Sequence, residues 1–238
     1  MNLVVFDIDG TLVDSAAVDT DACFVPALQE GLGISGFGDD WTAYAEPTSA
    51  GIFDEVIRKA FKRPPLATEL GKVQTLLDTM MRARYLGADR IPPMAGALAM
   101  LNQLAADKLW RVAIATGNWR QEAAIKIESA GLLIAALPMA TSTDRLARRE
   151  ILPLAIARAS ERYETEEWHR AVYVGDGVWD ARVARELGMA FVGIGKGNRA
   201  AALRREGAGS VLADFTDLKA FWSALNQARV PEPPGGAP

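Results

Sequence analysis

The chain has 238 residues, half of them apolar, with 26 basic and 30 acidic residues and a formal net charge of −4. That is enough for one large domain or a domain carrying an insertion, and the interspersed charges leave no basic footprint for nucleic acid or an anionic membrane. Cys23 and His169 are the only cysteine and histidine, which excludes an internal disulfide, a cysteine-based zinc cluster and any two-histidine zinc site.

Cys23 is expected to be a small buried apolar residue, in keeping with a reducing cytoplasm, and His169 to be solvated. The amino terminus lacks the basic-then-apolar pattern of a secretory signal, and no apolar run reaches membrane-spanning length. Neither nucleic acid nor membrane is therefore expected as a partner.

The first predicted element is a buried strand at Leu3 to Phe6. It runs into Asp7 and Asp9, two carboxylates one residue apart, followed by Gly10 and Thr11. A chain already turning past Asp9 can bring both carboxylates to one pocket. Two desolvated like charges disfavour each other's ionisation, and a hard cation relieves that. Magnesium, with its preference for oxygen ligands beside phosphate, suits such a strand end. The plain structural alternative is a polar turn in which Asp14 and Ser15 cap the next helix.

Residues 16–90 show helical patterns around Ala17 to Gly31, Ile52 to Phe61 and Leu66 to Leu86, with no strand run. They read as an all-helical insertion, bounded by plausible hinges at Asp14 to Ala16 and Ile91-Pro92-Pro93. Within it, Thr48-Ser49-Ala50-Gly51 is either a specificity loop or a simple helix cap. Arg58, Arg63, Arg82 and Arg84 would meet an anionic substrate or merely be solvated.

From residue 91 onward, helices are predicted at Ala97 to Ala106, Gln121 to Ala130, Ile151 to Ser160 and Val178 to Leu187. They alternate with short apolar strands at Val112 to Ala115, Ala171 to Val174 and Phe191 to Ile194. Such alternation argues for an α/β, doubly wound (Rossmann-like) parallel sheet. Asn118 with Gln121 resembles a capping box, and Gly131 and Gly188 stand where left-handed terminating residues are wanted. Pro153 suits only a first helical turn, so that helix should begin near Glu150, with Arg148 and Arg149 just before it. The chain end, 229–238, is rich in proline and glycine and is expected to be a disordered tail.

In open α/β sheets the ligand crevice lies beyond the carboxyl ends of the strands. Thr116, Gly117 and Asn118 end one strand and open a helix, which makes a phosphate cradle or an ordinary turn. A basic residue before a helix is disfavoured by the dipole, so Arg148 or Arg149 invites a functional reason. Asp176 and Asp180 add a second acidic pair at the same sheet edge. Trp119 and Trp179 would shape the pocket rim or pack in the core.

Asp7-Ile8-Asp9-Gly10-Thr11, Thr116, the Arg148–Arg149 pair and Gly175-Asp176-Gly177-Val178-Trp179-Asp180 together resemble the four motifs of the haloacid-dehalogenase-like (HAD) superfamily of phosphohydrolases. The insertion resembles the helical cap carried after the first strand by many members. The resemblance implies a discontinuous catalytic core, 1–15 and 91–228, with a cap at 16–90. It implies Asp7 as nucleophile, Asp9 as acid/base, and Thr116, the Gly117 amide and Arg148 as holders of the phosphoryl oxygens. Arg149 is the alternative to Arg148, and the family more often uses lysine there.

Asp7, the backbone carbonyl of Asp9 and Asp176 would bind Mg2+, with Asp180 holding a ligand water or the basic residue. Asn118, Thr48, Ser49 and Gly51 are the further substrate-binding candidates. The implied reaction is hydrolysis of a small phosphorylated metabolite through an aspartyl-phosphate, by a cytoplasmic monomer or homodimer. Asp9 favours a phosphate ester over dehalogenation or phosphonate cleavage. A phosphomutase, or a metal-binding regulatory protein without turnover, remains an alternative.

Overall fold

The computed structural model describes residues 1–17, 22–38, 40–87 and 89–233. Six parallel strands form one sheet: β1 (Asn2–Phe6), β2 (Trp110–Ala115), β3 (Met139–Ala140), β4 (Arg170–Gly175), β5 (Ala190–Ile194) and β6 (Val211–Leu212), in the order β3-β2-β1-β4-β5-β6. In the register, Phe6 faces Ile114 of β2 and Val174 of β4. The three central strands therefore end almost level, at the point where strand order reverses and ligands bind in such sheets.

The continuous apolar run of β1 follows from its burial on both faces. Val4 and Phe6 join one core cluster while Leu3 and Val5 join the other, as the two-residue period of a strand requires. Phe6 is fixed by Phe215 and Phe221, with ring centroids 6.1 and 6.3 Å away. Each such buried side chain contributes about 1.5–3 kcal/mol relative to exposure.

The strands are connected or flanked by α4 (Ala97–Ala106), α5 (Arg120–Ser129), α6 (Arg148–Arg162), α7 (Val178–Glu186), α8 (Gly197–Arg205) and α9 (Leu218–Gln227). Gly131 and Gly188, after α5 and α7, take φ of 66° and 63°, the left-handed conformation that ends helices.

Between β1 and α4 lie α1 (Phe24–Leu32), α2 (Ser49–Phe61) and α3 (Ala67–Tyr85), with a 3-10 turn at Trp41–Ala43. Helix α3 packs on both α1 and α5. The two crossings between this helical segment and the sheet run side by side. Asp14 N donates to Pro92 O at 2.9 Å, and Met94 N to Leu12 O at 2.9 Å. Among the described residues no helix is long and apolar enough to cross a membrane.

Three local expectations are corrected. Helix α6 begins at Arg148, so Pro153 lies inside it; Pro153 is exposed, and the helix tolerates the lost amide on its solvent face. Strands β3 and β6 were not anticipated, because two-residue strands carry no periodicity. Residues 229–233 are held by the core rather than forming part of a disordered tail: Phe191 N donates to Arg229 O at 3.0 Å and Glu232 N to Gly207 O at 3.1 Å. Pro231 is buried, so this stretch has apolar surface to contribute after all. Residues 234–238 lie outside the described residues.

Ser129 joins the end of α3 to the sheet-side chain. Its buried hydroxyl donates to Tyr85 O at 2.6 Å and accepts from Ile91 N at 2.8 Å. Ser129→Ala leaves both groups without that partner and should lower the unfolding free energy by about 2–4 kcal/mol, measured by urea titration.

Candidate active site

The carboxyl ends of β1 and β4 bring three carboxylates together. Asp7, Asp176 and Asp180 each offer an oxygen within 4.8 Å of the others. Asp7 follows β1 directly, and its amide donates to Val174 O of β4 at 3.0 Å. Burial pushes its carboxyl up to about 7; Arg148 works against this, while Asp180 and Asp9 add to it. Burial likewise raises Asp176 well above the usual carboxylate range, opposed by Arg199, whose guanidinium lies 2.7 Å from its Oδ2. Gly10, at φ 63°, leaves room for this arrangement, since a Cβ there would overlap the Asp176 carboxylate.

These residues fit a hard divalent cation. Three oxygen donors converge, two of them strained toward the neutral form by burial and mutual repulsion, and Asp7 Oδ1 is buried without a hydrogen-bond partner.

Asp180 is fully buried at the start of α7, and its oxygens are heavily used. Oδ1 accepts from Arg148 at 3.0 Å and from the Tyr173 hydroxyl at 2.8 Å, while Oδ2 accepts from Gly177 N at 2.9 Å. The geometry thus has Asp180 holding the basic residue. Arg148 NH1 also lies 3.5 Å from Asp7 Oδ2, and its guanidinium sits 5.6 Å from the Trp179 ring centroid. Burial would discharge this group, but Asp180 and Asp7 outweigh burial and raise its pKa. Arg149, in contrast, is exposed and pairs with Glu46 at 3.4 Å. Of the two sequence candidates, only Arg148 reaches the carboxylates.

Asp9 turns elsewhere. Its Oδ2 accepts from Asn118 Nδ2 at 2.6 Å and from Lys126 Nζ at 2.8 Å. This would leave its backbone carbonyl, not its carboxylate, for a metal. Lys126 also donates to Asn118 Oδ1 at 3.0 Å and Glu122 Oε1 at 2.9 Å. Sequence reasoning missed Lys126 and Glu122. Their i,i+4 spacing on a charged helix looks like a solvated pair, yet both are buried. The expected Asn118–Gln121 capping box is corrected as well: Asn118 is committed to Asp9 and Lys126, and Glu122 Oε2 instead accepts from Trp119 N at 3.2 Å.

The helical segment closes over this edge. Ser49 N donates to Gly117 O at 2.8 Å, Ser49 Oγ to Glu122 Oε2 at 2.7 Å, and Thr48 Oγ1 to Leu146 O at 2.8 Å. Thr48 also caps α2, accepting from Gly51 N at 2.9 Å. Gly51 serves packing rather than a ligand, since a Cβ there would overlap the Glu46 backbone. A cavity of about 480 Å³ remains, lined by Asp7, Asp9, Thr116, Gly117, Asn118 and Arg148 from the core, with Thr48 and Ser49 opposite. A Cβ on Gly117 would stand 2.8 Å from Arg148 NH2, so that glycine admits the guanidinium. Trp179 lines the cavity, whereas Trp119 is buried in the core.

Asp7 titrates at about 7 when folded against 3.8 for an ordinary aspartate. The metal-free folded state therefore holds an extra proton between these values, and its stability should fall as pH rises across that window. Magnesium competes for the ionised form, so it should raise the melting temperature more at pH 8 than at pH 5. Thermal melts with and without Mg2+ check this. Asp7→Asn should flatten the metal-free slope in part, Asp176 supplying the remainder.

The chain is similar throughout to known proteins. The profile of the haloacid dehalogenase-like hydrolases matches residues 1–188. Phosphoglycolate phosphatase of Rhodospirillum rubrum is 28% identical over 224 residues, covering 90% of this chain and 88% of that protein. Among solved structures, a hydrolase from Pseudomonas syringae superposes with a TM-score of 0.70 at 19% identity, covering 94% of this chain and 99% of the other. A putative β-phosphoglucomutase from Bacteroides vulgatus gives 0.67 at 16% identity, covering 95% and 91%. These two likenesses concern the fold. With the family profile spanning most of the chain and the acidic strand ends assembled in one crevice, the chain belongs to the haloacid dehalogenase-like hydrolases.

Proposed function

We propose that the chain is a magnesium-dependent phosphatase acting on a small phosphorylated metabolite through an aspartyl-phosphate. The observation that carries this reading is Asp7: a buried carboxylate with one oxygen free of hydrogen bonds, beside the Arg148 guanidinium and opening on the cavity. The phosphatase relative supports the same reaction class.

In the first step, an Asp7 oxygen attacks phosphorus and the ester P–O bond breaks. Asp9 gives its proton to the departing alcohol oxygen. In the second, Asp9 takes a proton from the water that attacks the aspartyl-phosphate, and Asp7 is released. Thr116, Gly117 N–H and Arg148 hold the phosphoryl oxygens, on which charge accumulates. Mg2+ held by Asp7, the Asp9 carbonyl and Asp176 would screen the carboxylate from the phosphate it attacks. Asn118 and Lys126 hold Asp9 Oδ2 and leave Oδ1, which has no hydrogen-bond partner, for the transferred proton.

A panel of phosphate monoesters with Mg2+ tests the reading. The wild type should release inorganic phosphate, and Asp7→Asn should lose at least about 10³-fold in turnover. Isomerised product without phosphate release would favour the mutase. Metal binding with no turnover of any ester would favour the regulatory protein.

Lys126 gives a finer prediction. Lys126→Met should lower kcat/KM for alkyl phosphates by about 10²-fold, because a poor leaving group needs the positioned acid. For 4-nitrophenyl phosphate, whose leaving group departs unprotonated, the fall should stay within about threefold. Equal losses on both esters would assign Lys126 to folding alone.

A further inference from the structure

On the phosphatase reading, we propose that the alcohol half of the substrate is uncharged and lays a flat ring against the cap, so that small phosphorylated acids are poor substrates. Two features of the cavity carry this: what its cationic groups are already doing, and what its cap-side wall is made of.

The first Lys or Arg in the chain is Arg58, and His169 is the only histidine, so the whole segment from Met1 through Ile57 contains no cationic side chain. Every cap residue lining the cavity comes from that segment. The cap arginines singled out in the sequence are occupied elsewhere: Arg58 with Asp54, Arg63 with Glu69, Arg82 with Asp78 and Arg84 with Asp89. An anionic leaving group would therefore depend on the core cations.

Those are committed. Lys126 has three protons to donate, and its three acceptors are Asp9, Asn118 and Glu122. Lys126 is therefore left with no proton for a ligand. Arg148 is bound to Asp180 and stands beside Asp7, and Arg199 is paired with Asp176. A neighbouring cleft of about 190 Å³, sharing Trp41, Pro47, Arg148 and Trp179 with the main cavity, adds Arg149 and Arg182. Each already has a glutamate, Glu46 at 3.4 Å and Glu206 at 2.5 Å. A carboxylate entering beside the phosphate would lose its water and have to share a cation that already faces a carboxylate, Arg199 beside Asp176 being the half-exposed one on the cavity.

The wall offers apolar rings instead. Trp41, partly exposed, lines the cavity from the cap, together with the nearly buried Phe24 and Ile52. Trp41 meets Phe24 edge-on, with centroids 5.4 Å apart and planes at 75°. Phe24 is backed by Trp119 at 5.6 Å, and Trp119 by Phe53 at 5.9 Å. The surface is thus held in place before any ligand arrives, which reduces the ordering cost of stacking a ring on it. The cavity volume lies in the range typical of small-molecule sites.

The test compares kcat/KM with Mg2+ for four esters: 2-phenylethyl phosphate, ethyl phosphate, 2-phosphoglycolate and 4-nitrophenyl phosphate. The phenylethyl ester should exceed ethyl phosphate by about tenfold or more and 2-phosphoglycolate by about 30-fold or more. Trp41→Ala should reduce the phenylethyl advantage over ethyl phosphate about tenfold. Trp41→Lys, which adds the missing cation at a partly exposed position, should raise activity on 2-phosphoglycolate. Should 2-phosphoglycolate match or exceed the phenylethyl ester while 4-nitrophenyl phosphate is turned over, this proposal fails and the phosphatase reading stands. If none of the four is hydrolysed, 4-nitrophenyl phosphate included, both are overturned.

Discussion

Everything at the functional edge depends on burying several carboxylates in one crevice. Asp7, Asp176 and Asp180 converge at the ends of β1 and β4, and Asp9 stands one residue beyond Ile8. Left uncompensated, such a cluster would neutralise itself by taking up protons. Each member has a cation: Arg148 for Asp7 and Asp180, Arg199 for Asp176, and Lys126 for Asp9. The compensation is incomplete at Asp7, whose carboxyl stays near 7. A site balanced short of neutrality in this way fits a divalent cation, as the proposed reaction requires.

The same constraint links the helical segment after β1 to the sheet. Lys126 is buried, and removing it would leave Asp9 and Glu122 without their countercharge, the kind of loss that costs about 3–5 kcal/mol in buried pairs. Glu122 is also the group that accepts the Ser49 hydroxyl from α2. One chain of hydrogen bonds therefore runs from the first turn of α2, through Glu122 and Lys126, to the carboxylate proposed as acid/base. Docking of α2 and the placing of Asp9 share partners, and the cavity they enclose has carboxylates on one side and aromatic rings on the other.

How much of this was legible beforehand varies by residue. The four long strands were readable because burial on both faces removes polar alternation, and the acidic strand ends because Asp9 and Asp176 adjoin glycines and each has a second aspartate, Asp7 or Asp180, within four residues. The place before the predicted helix favours Arg148 over Arg149, and Arg148 is the one that meets Asp7 and Asp180, while Arg149 points away to Glu46. Lys126 and Glu122 were invisible, because an i,i+4 pair of opposite charges has the same spacing whether solvated or buried. Thr48 was read with two alternatives, and both its hydrogen bonds, to Gly51 and to Leu146, show it capping α2 and docking it at once. The contact of residues 229–233 with β5 and Gly207 depends on long-range backbone pairing that composition does not encode.

In the proposed reaction Asp7 becomes covalently phosphorylated and Asp9 completes the turnover. The most direct measurement is rapid acid quench of the Asp9→Asn protein mixed with a radiolabelled phosphate ester and Mg2+, followed by peptide mapping. Acid-stable label is expected on the peptide containing Asp7, persisting longer than in the wild type. Label on any other residue, or phosphate release with no labelled protein in either form, would contradict it.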